Sequence, residues 1–582
     1  MTVAEARAAH AMPFGAEVRS GGVRFRLWAP SREQVTVVAD GLPYVMEARG
    51  GGWFECVVDG ARAGTRYAFV FPRDDLQVPD PASRRQPDGP HGASEVVDPR
   101  AYVWRAAGWR GRPWRESVIS ELHVGTFTPE GTYAAAAARL PALAELGITS
   151  VELMPLAQPA GDRNWGYDGV LPFAPARRYG TPDDLKRFID EAHGLGMNVL
   201  LDVVFNHFGP DGNYLAAYAR PFFTTRHHTP WGAAIDLEGE HAETVREFFI
   251  QNALYWLREF RFDGLRLDAV HEIRDASPRP FLEELAARVR AECTGREVHL
   301  VLENDANEAR LLDRYDAQWD DDAHHALHVL LTGEHTGYYR DYAGEPGRLL
   351  ARALTEGFAY QGEPSAHRNG APRGEPSAML PSTSFVTFLQ NHDQIGNRAH
   401  GERIGALAPP EAVRAAHTLL LVAPPIPMLF MGEEWAASSP FQFFTDFGPE
   451  LGAAVYEGRR REFALDVIPD PQDPATFAAS VLRWNERGDP PHGASLEYVR
   501  ALLAVRAAEI VPRLGDTVRG DGYACSGRAT FSARWRLADG ARLACAANLQ
   551  SKAAPLPLLP GALIARCGEP GGPWSVTWTL AP

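Results

Sequence analysis

Four apolar runs in the middle of the chain each end in polar or acidic side chains. In chain order they are LLDVVFNH, GLRLDAV, LVLEN and FLQNHDQ. A short apolar run that ends in an acid is typical of a buried parallel strand whose carboxyl end faces a reaction site. Parallel barrels carry their chemistry at those strand ends. The polar residues at the ends of the runs are Asp202, Asn206, His207, Arg266, Asp268, Glu303, His392 and Asp393.

The runs belong to a longer alternation of predicted strands and helices, which indicates an α/β fold of the (β/α)8 TIM barrel type. SVISELHV is the candidate first strand, an alanine-rich helix is expected over Tyr133 to Leu146, and TSVELMPL is the second strand. In TPDDLKRFIDEAHGLG, Thr181 can cap a helix and Gly196 can end it. The sixth strand, expected near Tyr315 to Trp319, has the weakest pattern. IPMLFMGEEW is a late strand, and SLEYVRALLAVRAAEIV is the last barrel helix.

Apolar and polar residues alternate at both ends of the chain, as they do in antiparallel strands. Val23, Phe25 and Leu27 share one predicted face near the amino terminus, and an Asp539-Gly540 turn joins two alternating segments in the tail. We therefore predict three domains. They are an N-terminal β-sandwich (1-97), which is immunoglobulin-like, the catalytic barrel (98-513) and a small C-terminal antiparallel β domain (514-582).

Composition narrows the functional class and the compartment. A chain of 582 residues is too long for one core, and a formal charge of -16 argues against a nucleic-acid-binding surface. The five cysteines stand singly without a CxxC pair, so neither a disulfide framework nor a zinc site is expected. The amino terminus lacks a signal-peptide pattern, and the most apolar stretch, HTLLLVAPPIPMLFMG, contains three prolines. These features predict a cytoplasmic protein.

The strand ends carry the residue types that glycosidic bond cleavage needs. Arg266 and Asp268 are two residues apart on a predicted strand and therefore point to the same side, where the guanidinium would keep the carboxylate ionised. Glu303 follows the apolar residues of LVL, and partial burial would raise its pKa into the range of a general acid. An ionised carboxylate and a protonated one from different strands suit the hydrolysis of a glycosidic bond.

The four runs also resemble the four short sequence signatures of the α-amylase family of glycoside hydrolases. This resemblance implies that Asp268 is the nucleophile, Glu303 the acid/base and Asp393 a third acid that binds sugar hydroxyls. It implies a supporting role for Asp202, which holds the arginine. The residues expected to contact substrate or to shape its site are Asp202, His207, Arg266, His271, His392, Gln394, Asn397, Tyr167 and Trp165, and, in the segment WDDDAHHAL, Asp321, Asp322, His324 and His325.

Two groups of residues in these segments have an alternative interpretation. Asp321 and His325 are four residues apart and could share a helix face as metal ligands, although no metal is predicted. Trp165, Trp231 and Trp435 could stack on sugar rings or pack in the core.

Longer sequence segments show a resemblance to one subgroup of this family. ELHVGTFTPEGTY, NWGYDGVLPFAPARRYG and MGEEWAASSPFQFFTDF are similar to maltooligosyltrehalose trehalohydrolases. VRFRLWAPSREQVTVVADG resembles the amino-terminal, carbohydrate-binding-module-like domain of branching enzymes, isoamylases and trehalohydrolases. The resemblance implies hydrolysis, with retention of configuration, of the α-1,4 bond next to the terminal α,α-trehalose of maltooligosyltrehalose. It also implies trehalose as product, no cofactor and metabolic pairing with maltooligosyltrehalose synthase.

Two other functions are compatible with the same fold. A glycogen branching enzyme uses the same three acids but transfers the glucan chain to an acceptor hydroxyl instead of water. A glycan-binding or transporter-associated protein on this fold would have no catalysis, and such proteins usually lack one of the acids or carry a membrane segment. This chain has all three acids, which favours an enzyme. We predict no contact with nucleic acid or membrane.

Overall fold

The computed structural model of the chain describes residues 7–229 and 232–582. The amino-terminal part contains two antiparallel sheets, in the orders β1-β2-β6-β5 and β4-β3-β7-β8, with β9 paired to β7. Phe25 of one sheet contacts Tyr67 of the other, with ring centroids 4.8 Å apart. The predicted β-sandwich is confirmed. Its strands are β1 (Gly15–Arg19), β2 (Gly22–Trp28), β3 (Thr36–Ala39), β4 (Leu42–Val45), β5 (Glu47–Gly50), β6 (Trp53–Asp59), β7 (Arg66–Phe71), β8 (Leu76–Val78) and β9 (Ser94–Glu95).

The middle of the chain forms the predicted barrel. The strands of this part are β10 (Ile119–Leu122), β11 (Ser150–Leu153), β12 (Ala157–Pro159), β13 (Gly169–Pro175), β14 (Asn198–Val203), β15 (Phe223–Thr229), β16 (Gly232–Ile235), β17 (Gly264–Leu267), β18 (His299–Leu302), β19 (Ala317–Trp319), β20 (Glu363–Pro364), β21 (Pro372–Arg373), β22 (Phe385–Phe388) and β23 (Ile426–Phe430). Within the described residues, β10, β11, β14, β17, β18, β19, β22 and β23 close into a parallel barrel in that order. The weakly predicted sixth strand is present as β19.

Helices surround the barrel and connect its strands. No helix in the described part of the chain is both long and apolar enough to cross a membrane. The helices are α1 (Val124–Phe127), α2 (Tyr133–Ala137), α3 (Leu140–Leu146), α4 (Pro182–Gly194), α5 (Leu215–Tyr218), α6 (Ala242–Arg258), α7 (Phe281–Glu292), α8 (Asp321–Thr332), α9 (Pro346–Glu356), α10 (His392–Gly396), α11 (Ile404–Leu407), α12 (Pro410–Val422), α13 (Pro449–Phe463), α14 (Pro474–Ala479) and α15 (His492–Val505).

One helix that the sequence predicted as continuous is divided into two in the structure. The segment from Tyr133 to Leu146 forms α2 and α3, separated by a turn at Ala138 and Arg139. Pro141 lies in the first turn of α3, where its missing N–H is tolerated, but its ring cannot be accommodated inside a continuous helix. Helix α4 begins as predicted, since Thr181 and Asp184 form a reciprocal capping box.

The register of neighbouring strands brings the polar strand ends together. Asp202 of β14 lies opposite Arg266 of β17, and Arg266 lies opposite Val301 of β18. Val301 is part of the core inside the barrel, so Asp202 and Arg266 also point inward. Side chains alternate along a strand, so Asp268 and Glu303, two residues further on, are directed to the mouth of the barrel.

The tail forms the expected antiparallel sheet against the barrel. Its strands are β24 (Arg519–Gly527), β25 (Thr530–Arg536), β26 (Arg542–Asn548), β27 (Ala562–Cys567) and β28 (Ser575–Ala581). They lie in the order β24-β25-β26-β28-β27 across the sheet. The Trp578 indole donates to the carbonyl of Thr418 in α12 at 2.9 Å. This buried hydrogen bond attaches the sheet to the barrel. The domain limits at 97/98 and 513/514 stay predictions.

A buried ion pair joins the amino-terminal domain to the barrel. Arg84 Nε lies 3.3 Å from Glu259 at the end of α6, and the same guanidinium donates to the carbonyls of His10 and Ala16. Lys186 Nζ is 4.0 Å from the other oxygen of Glu259. Both side chains of the Arg84–Glu259 pair are almost fully buried. Removing one partner would therefore leave a charge that water cannot reach.

Arg84→Met should destabilise the junction between the two domains. We expect a loss of about 3–5 kcal/mol in the free energy of unfolding, because Glu259 and two carbonyls lose their buried donor. Urea denaturation followed by tryptophan fluorescence measures this loss. The matched control is Arg500→Met, which breaks an exposed pair with Glu497 on α15 and should change stability by less than about 0.5 kcal/mol. Equal losses in the free energy of unfolding for the two substitutions would contradict a stabilising role of the Arg84–Glu259 pair.

Candidate active site

Arg266 lies at the centre of the mouth of the barrel. Its Nη1 is 2.6 Å from Asp202 Oδ2 and 2.8 Å from Asp268 Oδ1, while its Nη2 is 3.7 Å from Glu303 Oε2. The Trp319 ring of β19 supports the guanidinium from one side, with 4.0 Å between Cζ and the ring centroid. The arginine is 1% exposed. One buried cation thus holds three carboxyl groups from adjacent strands.

Asp268 has its two oxygens held by different groups. Oδ1 accepts from Arg266, and Oδ2 accepts from the Asn206 amide at 3.0 Å. The next residue, Ala269, has a φ of 40°, a conformation that non-glycine residues rarely adopt. The Ala269 N–H donates to Glu303 Oε2 at 2.5 Å. The strained turn after β17 therefore links the two carboxyl groups that the sequence assigns to the chemistry.

The Glu303 carboxyl is in an environment that favours its protonated form. Burial raises its pKa well above the ordinary value, and the negative charges of Asp268, Asp321 and Asp393 add to this effect. The positive charge of Arg266 acts in the opposite direction but does not outweigh burial. A carboxyl of this kind can carry a proton at neutral pH and deliver it as a general acid.

Side-chain exposure separates groups that can touch a substrate from groups that support them. Asp268 is 12% exposed, Glu303 16% and Asp393 52%. Asp202 is closed off beneath them, and burial raises its pKa to about 6 although Arg266 opposes the shift. The structure brings all of these predicted residues together, with Asp268, Glu303 and Asp393 on the open side.

Helix α10 carries the predicted residues of the fourth run. Asn391 caps the helix by accepting from the backbone N–H of Gln394 at 2.8 Å. The Asn397 amide donates to Asp393 Oδ1 at 2.8 Å, and Nε2 of His392 is 3.8 Å from the same oxygen. His392, Asp393 and Asn397 therefore lie together at the rim of the mouth.

His207 and Tyr167 lie on the other side of His392. The Tyr167 hydroxyl donates to Asp202 Oδ2 at 2.6 Å, and its ring stacks on His392 with centroids 5.0 Å apart. Nε2 of His207 donates to the Tyr167 carbonyl at 3.0 Å, and burial lowers the pKa of His207. Tyr167 thus connects the arginine cluster to both histidines.

Asp321, Gln394 and His271 complete the cleft. Burial raises the pKa of Asp321 to about 7, with further contributions from the charges of Asp305 and Asp393. The Gln394 amide is 3.4 Å from Asp321 Oδ1. Nδ1 of His271 accepts from the N–H of Asp305 at 3.3 Å, and burial lowers the pKa of His271. The structure places these three predicted contacts around the acids.

Three predicted contacts in α8 do not reach the cleft. The Asp322 side chain is 0% exposed, and its oxygens accept from Asn307, Arg373 and the backbone of Ala359, among others. His324 is buried, with its Nδ1 at 2.9 Å from the Leu389 carbonyl. His325 is covered by the rings of three tyrosines, Tyr338, Tyr339 and Tyr342. Because α8 is buried nearly all round, these side chains anchor neighbouring segments, and their contact with substrate stays a prediction.

Two of the three tryptophans that could either stack on sugar rings or pack in the core are packed in the core. Trp165 is buried, stacks on Phe441 at 5.2 Å and donates to the Gln442 carbonyl. Its ring lies so close to Gly396 of α10 that a Cβ there would be 2.1 Å from it, so it sets the position of α10. Trp435 is fully buried. Trp231 lies outside the described residues.

Two residues beside the acids were absent from the predicted site. Glu121, at the end of β10, accepts from His392, and Trp319 lies under Arg266. The sequence signal for Glu121 is its position in SVISELHV, where it is the one acid of the candidate first strand. Of the described residues, no set of three or more His, Cys, Asp or Glu side chains is arranged to hold a metal ion.

Family models match three stretches of the chain. Residues 111–231 match the family model of the alpha amylase catalytic domain. Residues 13–98 match carbohydrate-binding module 48, the isoamylase N-terminal domain. Residues 518–578 match a domain of unknown function, DUF3459.

Individual relatives cover most of the chain. A malto-oligosyltrehalose trehalohydrolase of Rhizobium sp. is 44% identical over 84% of this chain and 85% of that protein. The Deinococcus radiodurans protein of the same name is 44% identical over 84% and 82%. A crystal structure from Salmonella typhimurium, provisionally described as an alpha amylase, covers 98% of this chain and 100% of its own, with 44% identity and a TM-score of 0.94.

A 1,4-alpha-glucan branching enzyme of Streptomyces avermitilis is a partial match. It is 38% identical over 43% of this chain and 45% of that protein. The full-length similarity therefore lies with the trehalohydrolases. The chain belongs to the malto-oligosyltrehalose trehalohydrolase family, within the alpha amylase group of glycoside hydrolases.

Proposed function

We propose that the protein hydrolyses the α-1,4-glucosidic bond next to the terminal α,α-trehalose of maltooligosyltrehalose. The products are trehalose and a shortened malto-oligosaccharide. The observation that carries this proposal is the 44% identity, over 84% of the chain, to an enzyme named for that reaction. The acids at the mouth of the barrel support glycoside hydrolysis independently of the name.

We propose that Asp268 and Glu303 act by a retaining double displacement. In the first step Glu303 gives its proton to the glycosidic oxygen while an Asp268 oxygen attacks the anomeric carbon, so that trehalose leaves and a glycosyl ester forms. In the second step Glu303, now ionised, takes a proton from water. That water attacks the anomeric carbon, and the bond to Asp268 breaks. Both carboxyl groups then return to their starting states.

The surrounding residues support these two steps in different ways. Arg266 Nη1 donates to the Asp268 carboxylate at 2.8 Å and holds it in place, and Asp202 accepts from the same nitrogen at 2.6 Å. Asp393 is exposed enough to bind sugar hydroxyls and to hold the ring in the distorted form that cleavage requires. His392 and His207 are proposed as contacts to the same sugar. None of these roles needs a cofactor.

The chemistry also implies a metabolic setting. The substrate carries trehalose at its end, so another enzyme must first convert the reducing end of a malto-oligosaccharide into trehalose; we propose a maltooligosyltrehalose synthase. The single, unpaired cysteines Cys56, Cys293, Cys525, Cys545 and Cys567 support a reducing compartment, and we propose that the enzyme acts in the cytoplasm.

Asp268→Asn should reduce kcat to below about one thousandth of wild type, because the amide keeps the shape of the side chain but cannot act as a nucleophile. Trehalose release from maltotriosyltrehalose measures the effect, and calorimetry checks that substrate still binds. The control is Asp316→Asn, just before β19 at the end of the barrel away from the mouth, where the carboxylate accepts from the Leu300 N–H. Retention of more than about a tenth of wild-type activity by Asp268→Asn would rule out the nucleophile role.

Proton NMR of early turnover tests both the bond that is cut and the stereochemistry. With maltotriosyltrehalose, we expect trehalose and the α-anomer of maltotriose, because two inversions restore the original configuration. With amylose alone, we expect no new α-1,6 linkages. Initial β-maltotriose would refute the retaining mechanism. Glucose without trehalose would refute the proposed regiochemistry, and α-1,6 branches would favour a branching enzyme.

A further inference from the structure

Glu121 is the penultimate residue of the first barrel strand and is bonded twice to the same histidine. One of its oxygens, Oε2, accepts from the backbone N–H of His392 at 3.0 Å, and the other, Oε1, lies 2.5 Å from Nδ1 of the His392 ring. Both side chains are at most 2% exposed. The contact joins residues that are 271 positions apart in the chain. It therefore ties the strand β10 directly to α10, which also carries Asp393.

This contact determines which ring nitrogen of His392 is available to a substrate. A carboxylate has only acceptors, so Nδ1 must carry a proton to bond with it. Nε2 has no hydrogen-bond partner among residues 7–229 and 232–582 and lies 3.8 Å from Asp393 Oδ1. Burial alone would lower the pKa of His392, but the charge and hydrogen bond of Glu121 outweigh burial and raise it. This shift favours the imidazolium ion, in which Nε2 also carries a proton.

The other groups around this pair do not replace Glu121. Glu152 of β11 lies opposite Glu121 in the register, and neither of its oxygens has a hydrogen-bond partner in the described structure. Burial and the charge of Glu121 raise the pKa of Glu152 far above its ordinary value, so Glu152 is neutral. His123 is neutral too, since burial lowers its pKa to about 4.

Two charged groups remain near His392. Asp393 favours the imidazolium ion from the open side of the cleft, and Arg266 disfavours it from within the barrel. The Tyr167 ring, stacked on the imidazole, contributes no charge because its own pKa is raised well above the ordinary value, chiefly by burial. Glu121 is thus the group that both orients the imidazole and favours its charged form.

We propose that Glu121 is a positioning residue of the active site, which holds His392 so that Nε2–H is presented to a hydroxyl of the sugar in the cleavage subsite. The inference rests on the proposed function, in which His392 contacts that sugar. Glu121 itself touches no substrate, because it is buried behind the imidazole. Its effect on the reaction therefore passes through the orientation and the charge of His392.

Glu121→Gln tests the inference, with Glu152→Gln as its matched control. The two carboxyls are equally buried and face each other across β10 and β11, but only Glu121 bonds to His392. We expect kcat/KM for maltotriosyltrehalose to fall at least about tenfold in Glu121→Gln. The alkaline limb of the pH profile of kcat/KM should also move down by about one pH unit or more, because the raised pKa of His392 falls when its carboxylate partner is lost. Glu152→Gln replaces a neutral group by a neutral group and should leave the limb unchanged.

A direct titration separates this effect from a general disturbance of the site. Nitrogen-15 NMR of histidine-labelled protein, with the His392 signals assigned by their loss in His392→Gln, should show titration above pH 6.5 in the wild type and at lower pH in Glu121→Gln. Glu121→Asp keeps the charge but is shorter, so it should lower kcat/KM while retaining the wild-type alkaline limb.

Each outcome of these experiments bears on the inference. A wild-type His392 that titrates at or below pH 6.5 would overturn it, even if Glu121→Gln failed to fold. An alkaline limb that moves equally in Glu121→Gln and Glu152→Gln would overturn it as well. Failure of the wild type to release trehalose would refute the proposed function instead, and the histidine titration would still decide whether Glu121 sets the state of His392.

Discussion

The buried guanidinium of Arg266 is the interaction on which the rest of the site depends. Moving a cation into a barrel interior costs several kcal/mol unless anionic partners are present with good geometry. Asp202 and Asp268 supply those partners at 2.6 and 2.8 Å. Glu303 is further away at 3.7 Å, and the arginine does not offset its burial. Asp268 thus has a close cationic partner, whereas burial dominates at Glu303 and leaves that carboxyl able to hold a proton.

This cluster requires the parallel barrel that surrounds it. Asp202 and Arg266 are paired in the register of adjacent strands, and their side chains point into the barrel. Period-two alternation then directs Asp268 and Glu303 to the mouth. A shift of one residue between the strands would turn the arginine outward and leave its partners unpaired. The fold and the chemistry are consequently specified by the same few strand positions.

The sequence pattern located the polar residues at the strand ends and on the short helix α10, but it did not show that Asp322, His324 and His325 of α8 lie away from the mouth of the barrel. Asp268 and Glu303 could be recognised because an acid that ends an apolar strand of a parallel barrel lies at the face where such barrels carry their chemistry. Asp322 could not be placed, because a helix buried all round has no sequence pattern that identifies a cleft-facing side. Trp165 was ambiguous for a similar reason, since tryptophan suits both sugar stacking and core packing. The break between α2 and α3 was foreseeable from Pro141 alone.

The proposed mechanism requires a protonated Glu303 beside an Asp268 carboxylate in the free enzyme. Infrared difference spectroscopy of the wild type against single variants measures this directly, because a protonated carboxyl has a carbonyl band that an ionised one lacks. At neutral pH, Glu303→Gln should remove such a band from the wild-type spectrum, whereas Asp268→Asn should not remove one. Loss of a protonated-carboxyl band in Asp268→Asn, or no loss in Glu303→Gln, would contradict the account.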